Sequence, residues 1–549
     1  MHLKKAVSIA VASSVLLTPL ATSTSAQAQG RPKAALSSAS DLQTAPAKGD
    51  IPSLTWWIGP YPPSSMDPVK YQDYPEDQII PNMCDSLVIQ TPGLKTVPDL
   101  AQSWSQPNPT TLTFNLHQGV KFWDGSPMTA ADVVYSLKRN MNPANQSIYT
   151  FYFDDVKTIT ASGPLSVTVK FSKPDSMFLP EMASLASAVV EPKFVQQKGS
   201  SFGTPKGGIM CTGAYKLQSW NGTSDLVMVK NNAYWDKARQ PKVGKITFQW
   251  PNDPGQIASA FDTGTFAGGF FIPGADTAPL KKASSGHLYS NNPSQSMQIF
   301  ALIVVGTKGA ISNQAVRQAL SASIDRSAVI KVVQFGQATP AYAEGGSGYV
   351  RADPGAYQAA YNAIAKAGQD TSNARKLVAE AGSVAKKPIV LAIPGSNQQI
   401  ADLGSIVQQS AASVGLNVKL KVVPADQYGA LFSDAKARTG DDLIFTGNYD
   451  QVPDPLAIYD DIAMPGAISN FNNYDNPKVI KLLTEANATF NAQKRAPLVI
   501  QAQKLITQDL PWIPLSFAQN QTFVRKGICG VPLDFSAMTS PWAASIGKC

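Results

Sequence analysis

The stretch Leu112–Arg139, LTFNLHQGVKFWDGSPMTAADVVYSLKR, carries a strand and a helix whose order decides how the whole chain is read. Thr111-Leu112-Thr113-Phe114-Asn115-Leu116 alternates polar and apolar residues, the pattern of a strand with one buried face. Thr129-Ala130-Ala131-Asp132 then has the form of a capping box, in which a Thr and an acid three residues later satisfy orphan backbone N–H groups. It opens a helix carrying Val133, Val134 and Leu137.

Downstream, Leu165–Phe171 alternates in the same way, and strands recur at Tyr215–Trp220, Ser224–Lys230 and Lys245–Trp250. Upstream, Pro52–Ile58 reads as a strand, YPPSSMDP (Tyr61–Pro68) as an irregular loop, and Gln78–Gln90 has helical spacing at Ile79/Ile80, Met83 and Leu87. After residue 296 strands and helices alternate. Met297–Val305 is an apolar strand, and Ser312 caps a helix with Val316, Leu320 and Ile324. Helices are expected at Ala374–Ala381 and Asp402–Val414, with strands at Pro388–Ile393, Asn417–Val422 and Leu443–Phe445, the last running into a loop. Helices over Pro477–Ala488 and Ala496–Gln508 precede a final strand, Trp512–Phe517, and Pro497 is expected in the first turn of its helix. A β-rich part followed by an α/β part indicates two α/β lobes.

Composition narrows the function. The chain has 549 residues, 44% of them hydrophobic, with charged residues at 15% against about 25% in an average globular protein. Its net charge of +8 is spread thinly over the length, so no dense basic stripe for nucleic acid exists. Met1–Ala28 has the three parts of a secretory signal: Lys4 and Lys5, an apolar run Ala6–Ala21 too short and too Ser/Thr-diluted to span a bilayer, and an Ala26-Gln27-Ala28 cleavage site. Cleavage is expected after Ala28, and no Cys lies there to take a lipid, which points to a free periplasmic protein. Residues 29–50, rich in Ala, Ser and Pro, read as a flexible leader outside the fold.

The four cysteines, Cys84, Cys211, Cys529 and Cys549, suit disulfides in an exported protein, with three possible pairings. Cys529 and Cys549 are closest in sequence, which leaves Cys84 with Cys211. The irregular spacing, without a C-x-x-C pair, argues against zinc. Only His117 and His287 would remain after export, and no phosphate-cradling loop, nucleophile elbow or metalloprotease motif occurs. The carboxylate pairs Asp154/Asp155, Asp441/Asp442 and Asp460/Asp461 read as solvated faces. This inventory suits binding rather than catalysis, with no catalytic residue, metal or cofactor to assign.

The Leu112–Arg139 stretch resembles the signature of the bacterial extracellular solute-binding proteins of family 5, which serve peptide, oligopeptide and nickel ABC importers. His117 and Trp123 stand where Arg and His are common. Other blocks follow in the family's order: Thr212–Leu217, Asn231–Phe248, Ala315–Arg326, Asn373–Gly382, Asn448–Pro455, Lys494–Leu515 and Val524–Gly527. The resemblance implies a two-lobe periplasmic-binding-protein-like α/β fold (type II, cluster C) with an extra subdomain in lobe one. Lobe one would comprise 51–95, the subdomain 96–204, 205–300 and a return segment 496–549, with lobe two over 301–495. Met297–Val305 and Pro511–Phe517 would be the crossing segments.

It further implies a monomeric receptor that captures a peptide or small-molecule ligand between its lobes and delivers it to an ABC importer permease. The same scaffold could serve an oligosaccharide or an opine-like compound, and a secreted hydrolase is the alternative of a different class. By position in the family pattern three stretches should face the cleft: Ile58-Gly59-Pro60-Tyr61; Gly268-Gly269-Phe270-Phe271, where glycines would let backbone approach ligand; and Gly447-Asn448-Tyr449-Asp450. Asp454-Pro455 reads as a turn or cap. Peptide binders of the family hold the ligand's amine on an Asp three residues before this D-P pair; here Gln451 occupies that place and Asp450 lies one residue early. Nickel is disfavoured, since no histidine falls in these stretches.

Overall fold

The computed structural model describes residues 42–291, 296–346, 354–365, 368–395 and 398–549. The expected signal peptide and the leader up to residue 41 lie outside the described residues. Two large mixed sheets organise the chain. The first has strands in the order Gly286–Ser290, Gln521–Arg525, Gly268–Gly269, Ile51–Trp57, Val243–Gln249, Asp225–Lys230 and Tyr215–Trp220. The opening strand runs parallel to Val243–Gln249, with Trp56 level with Phe248. A four-stranded antiparallel sheet, Ala101–Asn108, Thr111–Leu116, Ser166–Phe171 and Val156–Gly163, shares its core with the first, since Leu112, Phe114 and Tyr152 join one cluster with Trp56 and Phe248. These two sheets form the first lobe.

The second lobe is built on the order Ala338–Pro340, Trp512–Ala518, Gln298–Val304, Leu443–Tyr449, Ile389–Pro394 and Val418–Val423. Successive side chains of a strand leave on opposite faces. Thus Ile299, Ala301 and Ile303 enter one core while Leu302 and Val304 enter the other. Helix Gln398–Ser413 supplies the crossover between the parallel strands Ile389–Pro394 and Val418–Val423.

The capping box forms as read: the Thr129 backbone N–H and hydroxyl both donate to Asp132 Oδ2 at 2.8 Å, opening helix Ala130–Met141. Several other expectations change. Residues 42–50 do not hang free; Leu42 is buried, the Thr44 N–H donates to the Val531 carbonyl (2.9 Å), and Gly49 bridges Lys548. The helix expected over Gln78–Gln90 begins earlier, at Tyr74–Ile79, because Asp73 caps it and Pro75 suits its first turn. It ends in the 3₁₀ turn Ile80–Asn82, and Val88–Thr91 is instead a strand paired with Lys95–Pro98. Asn313 rather than Ser312 caps Gln314–Ser323.

Pro497 lies inside helix Ala492–Asp509, not at its start. Burial of Ala496, Val499, Ala502 and Ile506 along one stripe of that 18-residue helix outweighs the lost backbone bond. The strands expected to cross between lobes sit within the second sheet. The last strand of the first sheet before the change of lobe is Gly286–Ser290 and the next of the second sheet is Gln298–Val304; the chain goes back from Trp512–Ala518 to Gln521–Arg525, later than the return drawn at residue 496. Disulfides join Cys84 to Cys211 and Cys529 to Cys549. No helix of the described residues is long and apolar enough to cross a membrane.

Candidate functional site

The three stretches singled out in the sequence converge around the short helix Tyr74–Ile79 at the junction of the lobes. From the first, the Tyr61 hydroxyl donates to Asp73 Oδ1 at 2.9 Å. Ile58 is fully buried, whereas Gly59 adopts φ +129° with open space where a Cβ would stand, a conformation that favours glycine.

From the second, Phe270 is a core residue: it packs on Trp56 and Trp542, with ring centroids at 5.1 and 4.9 Å. Phe271 turns back through φ +53° and meets Tyr74 and Phe535 edge-on. The glycines before them are required by packing. A Cβ on Gly268 would sit 2.3 Å from the Trp56 ring, and one on Gly269 would sit 2.9 Å from Phe261.

The third stretch was read as a loop. It is the end of strand Leu443–Tyr449, extended because Gly447, Asn448 and Tyr449 find partners on Phe300, Ile299 and Gln298. Tyr449 packs against Tyr74 in a tilted contact (ring centroids 4.8 Å apart), and its hydroxyl donates to Asp77 Oδ2 at 2.7 Å. The Gln451 side-chain amide donates to the same oxygen at 2.6 Å, and the Gln451 backbone carbonyl accepts from the Gln90 side-chain amide at 2.6 Å. Gln298 of the second lobe also bonds the Tyr74 hydroxyl. Tyr449 and Gln451 therefore form a clasp across the lobes onto Asp77. Burial pushes the Asp77 carboxyl well above its ordinary pKa, the hydrogen bonds from Tyr449 and Gln451 oppose that shift, and the charges of Glu76 and Asp73 add to it.

Beside the clasp lies a cavity of about 290 Å³ walled by both lobes. Tyr71, Gln72, Ile148, Phe151 and Tyr152 come from the first lobe; Asn448, Tyr449, Asp450, Asp461 and Trp512 are among those from the second. Of the residues expected to bind ligand, Asn448, Tyr449 and Asp450 line it; Ile58, Gly59, Tyr61, Phe270, Phe271 and Gly447 are not among its lining residues. Burial raises the Asp450 carboxyl to about 7, against a hydrogen bond from the Val452 N–H (2.8 Å). Asp454 caps helix Pro455–Ala463 and pairs with Arg495 at 2.6 Å, so it serves structure. Asp461, taken for part of a solvated pair, is instead a cavity wall, with its carboxyl raised by burial to about 6. The aromatic wall of Phe151, Tyr152, Phe432, Phe471 and Trp512 was not singled out either. Its members lie far apart in sequence and share no local pattern. Among the described residues no group of three His, Cys, Asp or Glu could hold a metal ion.

A cleft between two α/β lobes, walled from both sides and closed by interlobe hydrogen bonds, defines a ligand-capturing protein. The model of the bacterial extracellular solute-binding proteins, family 5, matches residues 95–470, and the chain belongs to that family. It is 30% identical over 429 residues to the glutathione-binding protein GsiB of Salmonella typhi, covering 76% of this chain and 80% of that one. GsiB of Escherichia coli O157:H7 is 29% identical over 477 residues, covering 85% and 89%.

In fold the chain resembles the A. tumefaciens R10 binding protein AgaA solved with agropinic acid (TM-score 0.79, 19% identity, 90% of this chain and 99% of that one). It also resembles the Escherichia coli murein tripeptide-binding protein MppA (TM-score 0.75, 21% identity, 92% and 99%). These relatives are binding proteins rather than enzymes.

Proposed function

We propose that this protein is the receptor of an ABC importer, acting in the periplasm as a monomer after cleavage of Met1–Ala28. It captures a short peptide or peptide-like solute between its lobes and presents the closed form to a membrane permease. The observation that carries this reading is the two-lobed cavity with Asp450 on its wall. A buried ammonium needs a charged, hydrogen-bonding partner, and Asp450 supplies one beside the position where the family's peptide binders hold the ligand amine.

The cavity volume, just below the usual range of about 300–1,000 Å³, favours a ligand of two or three residues over a long peptide. The curated relatives named for glutathione, itself a tripeptide, point the same way. Ligand shifts the lobes toward closure only by binding the closed form more tightly, which the joint wall of Tyr152 and Asp450 makes possible. Native mass spectrometry of freshly purified protein, followed by melting shifts across dipeptides, tripeptides, sugars and opines, tests this. A peptide that raises the melting temperature, and loses its affinity in Asp450→Asn, supports it. Stabilisation by sugars alone overturns it.

A further inference from the structure

The cavity wall is divided by chemistry. Thr446 and Asn448, two residues apart on strand Leu443–Tyr449, leave the strand by one face, and both line the cavity. Neither the Thr446 hydroxyl nor the Asn448 side-chain amide has a hydrogen bond among the described residues, and Asp450 follows them on the same wall. Much of the rest is aromatic: Phe151 and Tyr152 from the first lobe, Phe432, Phe471 and Trp512 from the second. Phe151, Phe432 and Phe471 are only half-buried, so the cavity offers apolar surface that a ligand can take out of water.

The rings are held by residues that do not themselves line the cavity. The Arg438 guanidinium carbon lies 4.8 Å from the centroid of the Phe471 ring, and this side chain donates to the Leu431 carbonyl at 2.6 Å. Phe471 meets Phe432 edge-on at 6.3 Å, and Phe432 meets Tyr428 edge-on at 5.8 Å. The Tyr428 hydroxyl donates to the Phe445 carbonyl at 2.7 Å. Neither Arg438 nor Tyr428 is among the lining residues. The Trp512 indole N–H already donates to the Ser469 carbonyl at 3.2 Å, which leaves carbon for a ligand to meet. From the first lobe, Phe151 packs on Tyr152 with centroids 4.3 Å apart. Rings fixed in this way lose little freedom when another ring joins them. Aromatic pairs also gain beyond the area they bury.

We infer that this site selects an aromatic side chain on its ligand, received by Phe151 and Tyr152 of the first lobe and by Phe432, Phe471 and Trp512 of the second. The inference rests on the peptide reading proposed above and narrows the substrate class to short peptides or peptide-like amines that carry a ring. Asp450 takes the amine, Asn448 and Thr446 bond the peptide group beside it, and the ring fills the aromatic box. Contact with rings of both lobes makes that side chain part of what draws the lobes together.

The test is calorimetry on the full mature chain with phenylalanyl-alanine, alanyl-phenylalanine, leucyl-alanine, alanyl-alanine and phenethylamine. The better of the two ring-bearing dipeptides should bind about tenfold or more tightly than alanyl-alanine. It should bind about threefold or more tightly than leucyl-alanine. Phe432→Leu and Phe471→Leu keep apolar bulk and remove a ring; each should narrow the first ratio several-fold and leave alanyl-alanine within about twofold of the parent. Equal affinity for the four dipeptides in the unmodified protein overturns the inference and leaves the peptide reading standing. Leucyl-alanine binding as tightly as the ring-bearing peptides also overturns it, because the box then measures apolar bulk alone. So do variants that weaken alanyl-alanine as much as the ring-bearing peptides, the mark of a purely structural role. If phenethylamine binds and no dipeptide does, the aromatic subsite stands and the peptide reading falls. If no compound of the panel binds, both fall.

Discussion

Tyr449→Phe isolates the clasp between the lobes. The substitution keeps the ring against Tyr74 and Phe535 and removes only the hydroxyl that donates to Asp77 Oδ2 at 2.7 Å. A neutral hydrogen bond contributes about 0.5–1.5 kcal/mol and one to a charged group about 1.5–3 kcal/mol. Burial favours the neutral Asp77 carboxyl, while its two donors favour the charged one, so a loss of about 1–3 kcal/mol is expected. Asp77 stands in the first lobe and Tyr449 in the second, so the loss falls on the closed arrangement alone. The closed-to-open ratio should drop about 5- to 150-fold, and ligand Kd should rise by a matching factor wherever the free protein is mostly open.

Small-angle scattering reads the lobe arrangement and calorimetry reads Kd. Because the Tyr449 ring also lines the cavity, Asp77→Ala is the control: Asp77 is not among the lining residues, yet its loss must move both readouts in the same direction. Removing both donors, in Tyr449→Phe with Gln451→Leu, should cost more than the two single changes added, because either donor alone keeps the buried oxygen bonded. A Kd and scattering profile within twofold of the parent for both Tyr449→Phe and Asp77→Ala would refute the clasp.

Further predictions concern stability. Arg139 meets Asp67 through two parallel bonds of 2.9 and 2.6 Å, both side chains buried; Arg139→Met should cost about 3–5 kcal/mol in urea unfolding, because it strands a buried carboxylate. Cys549→Ser opens a loop of sequence separation 20, and its unfolding midpoint should fall by the equivalent of about 3 kcal/mol. Glu344 is fully buried, neither oxygen has a hydrogen bond, and burial raises its carboxyl from 4.5 to about 8. A raised carboxyl contributes its stability below pH 4.5 and loses it as pH climbs toward 8, so Glu344→Gln should gain on the parent progressively across that window, by on the order of a few kcal/mol. Urea midpoints at pH 5 and pH 8 that differ equally in the two proteins would speak against this.

The parts legible in sequence are those that local chemistry settles. Leu112, Phe114 and Leu116 alternate into the core because a strand has period two, and the Thr129–Asp132 box needs only four residues to declare itself. The misread parts depend on partners far along the chain. Gly447–Tyr449 looks polar and loop-like until Gln298–Phe300 lies beside it. Phe270 and Phe271 are adjacent and alike, but only the fold sends one under Trp542 and the other toward Tyr74. Asp460-Asp461 looks like a wet corner because two adjacent acids usually are; the first lobe's Tyr152, about 300 residues upstream, makes it a wall.

Two of the blocks that resemble the family, Thr212–Leu217 and Asn231–Phe248, meet on one buried acid. Asp85 accepts from the Thr212 hydroxyl, the Tyr234 hydroxyl and the Trp235 indole, each at 2.9 Å, beside the Cys84–Cys211 bridge. None of these residues is among those lining the cavity. The hub that secures the framework and the surface that chooses cargo are thus separately mutable. A reporter for a new solute could be bred from this chain by varying positions such as Phe151, Phe432, Ser469 and Phe471, while Asp85 and its three donors are left as they are.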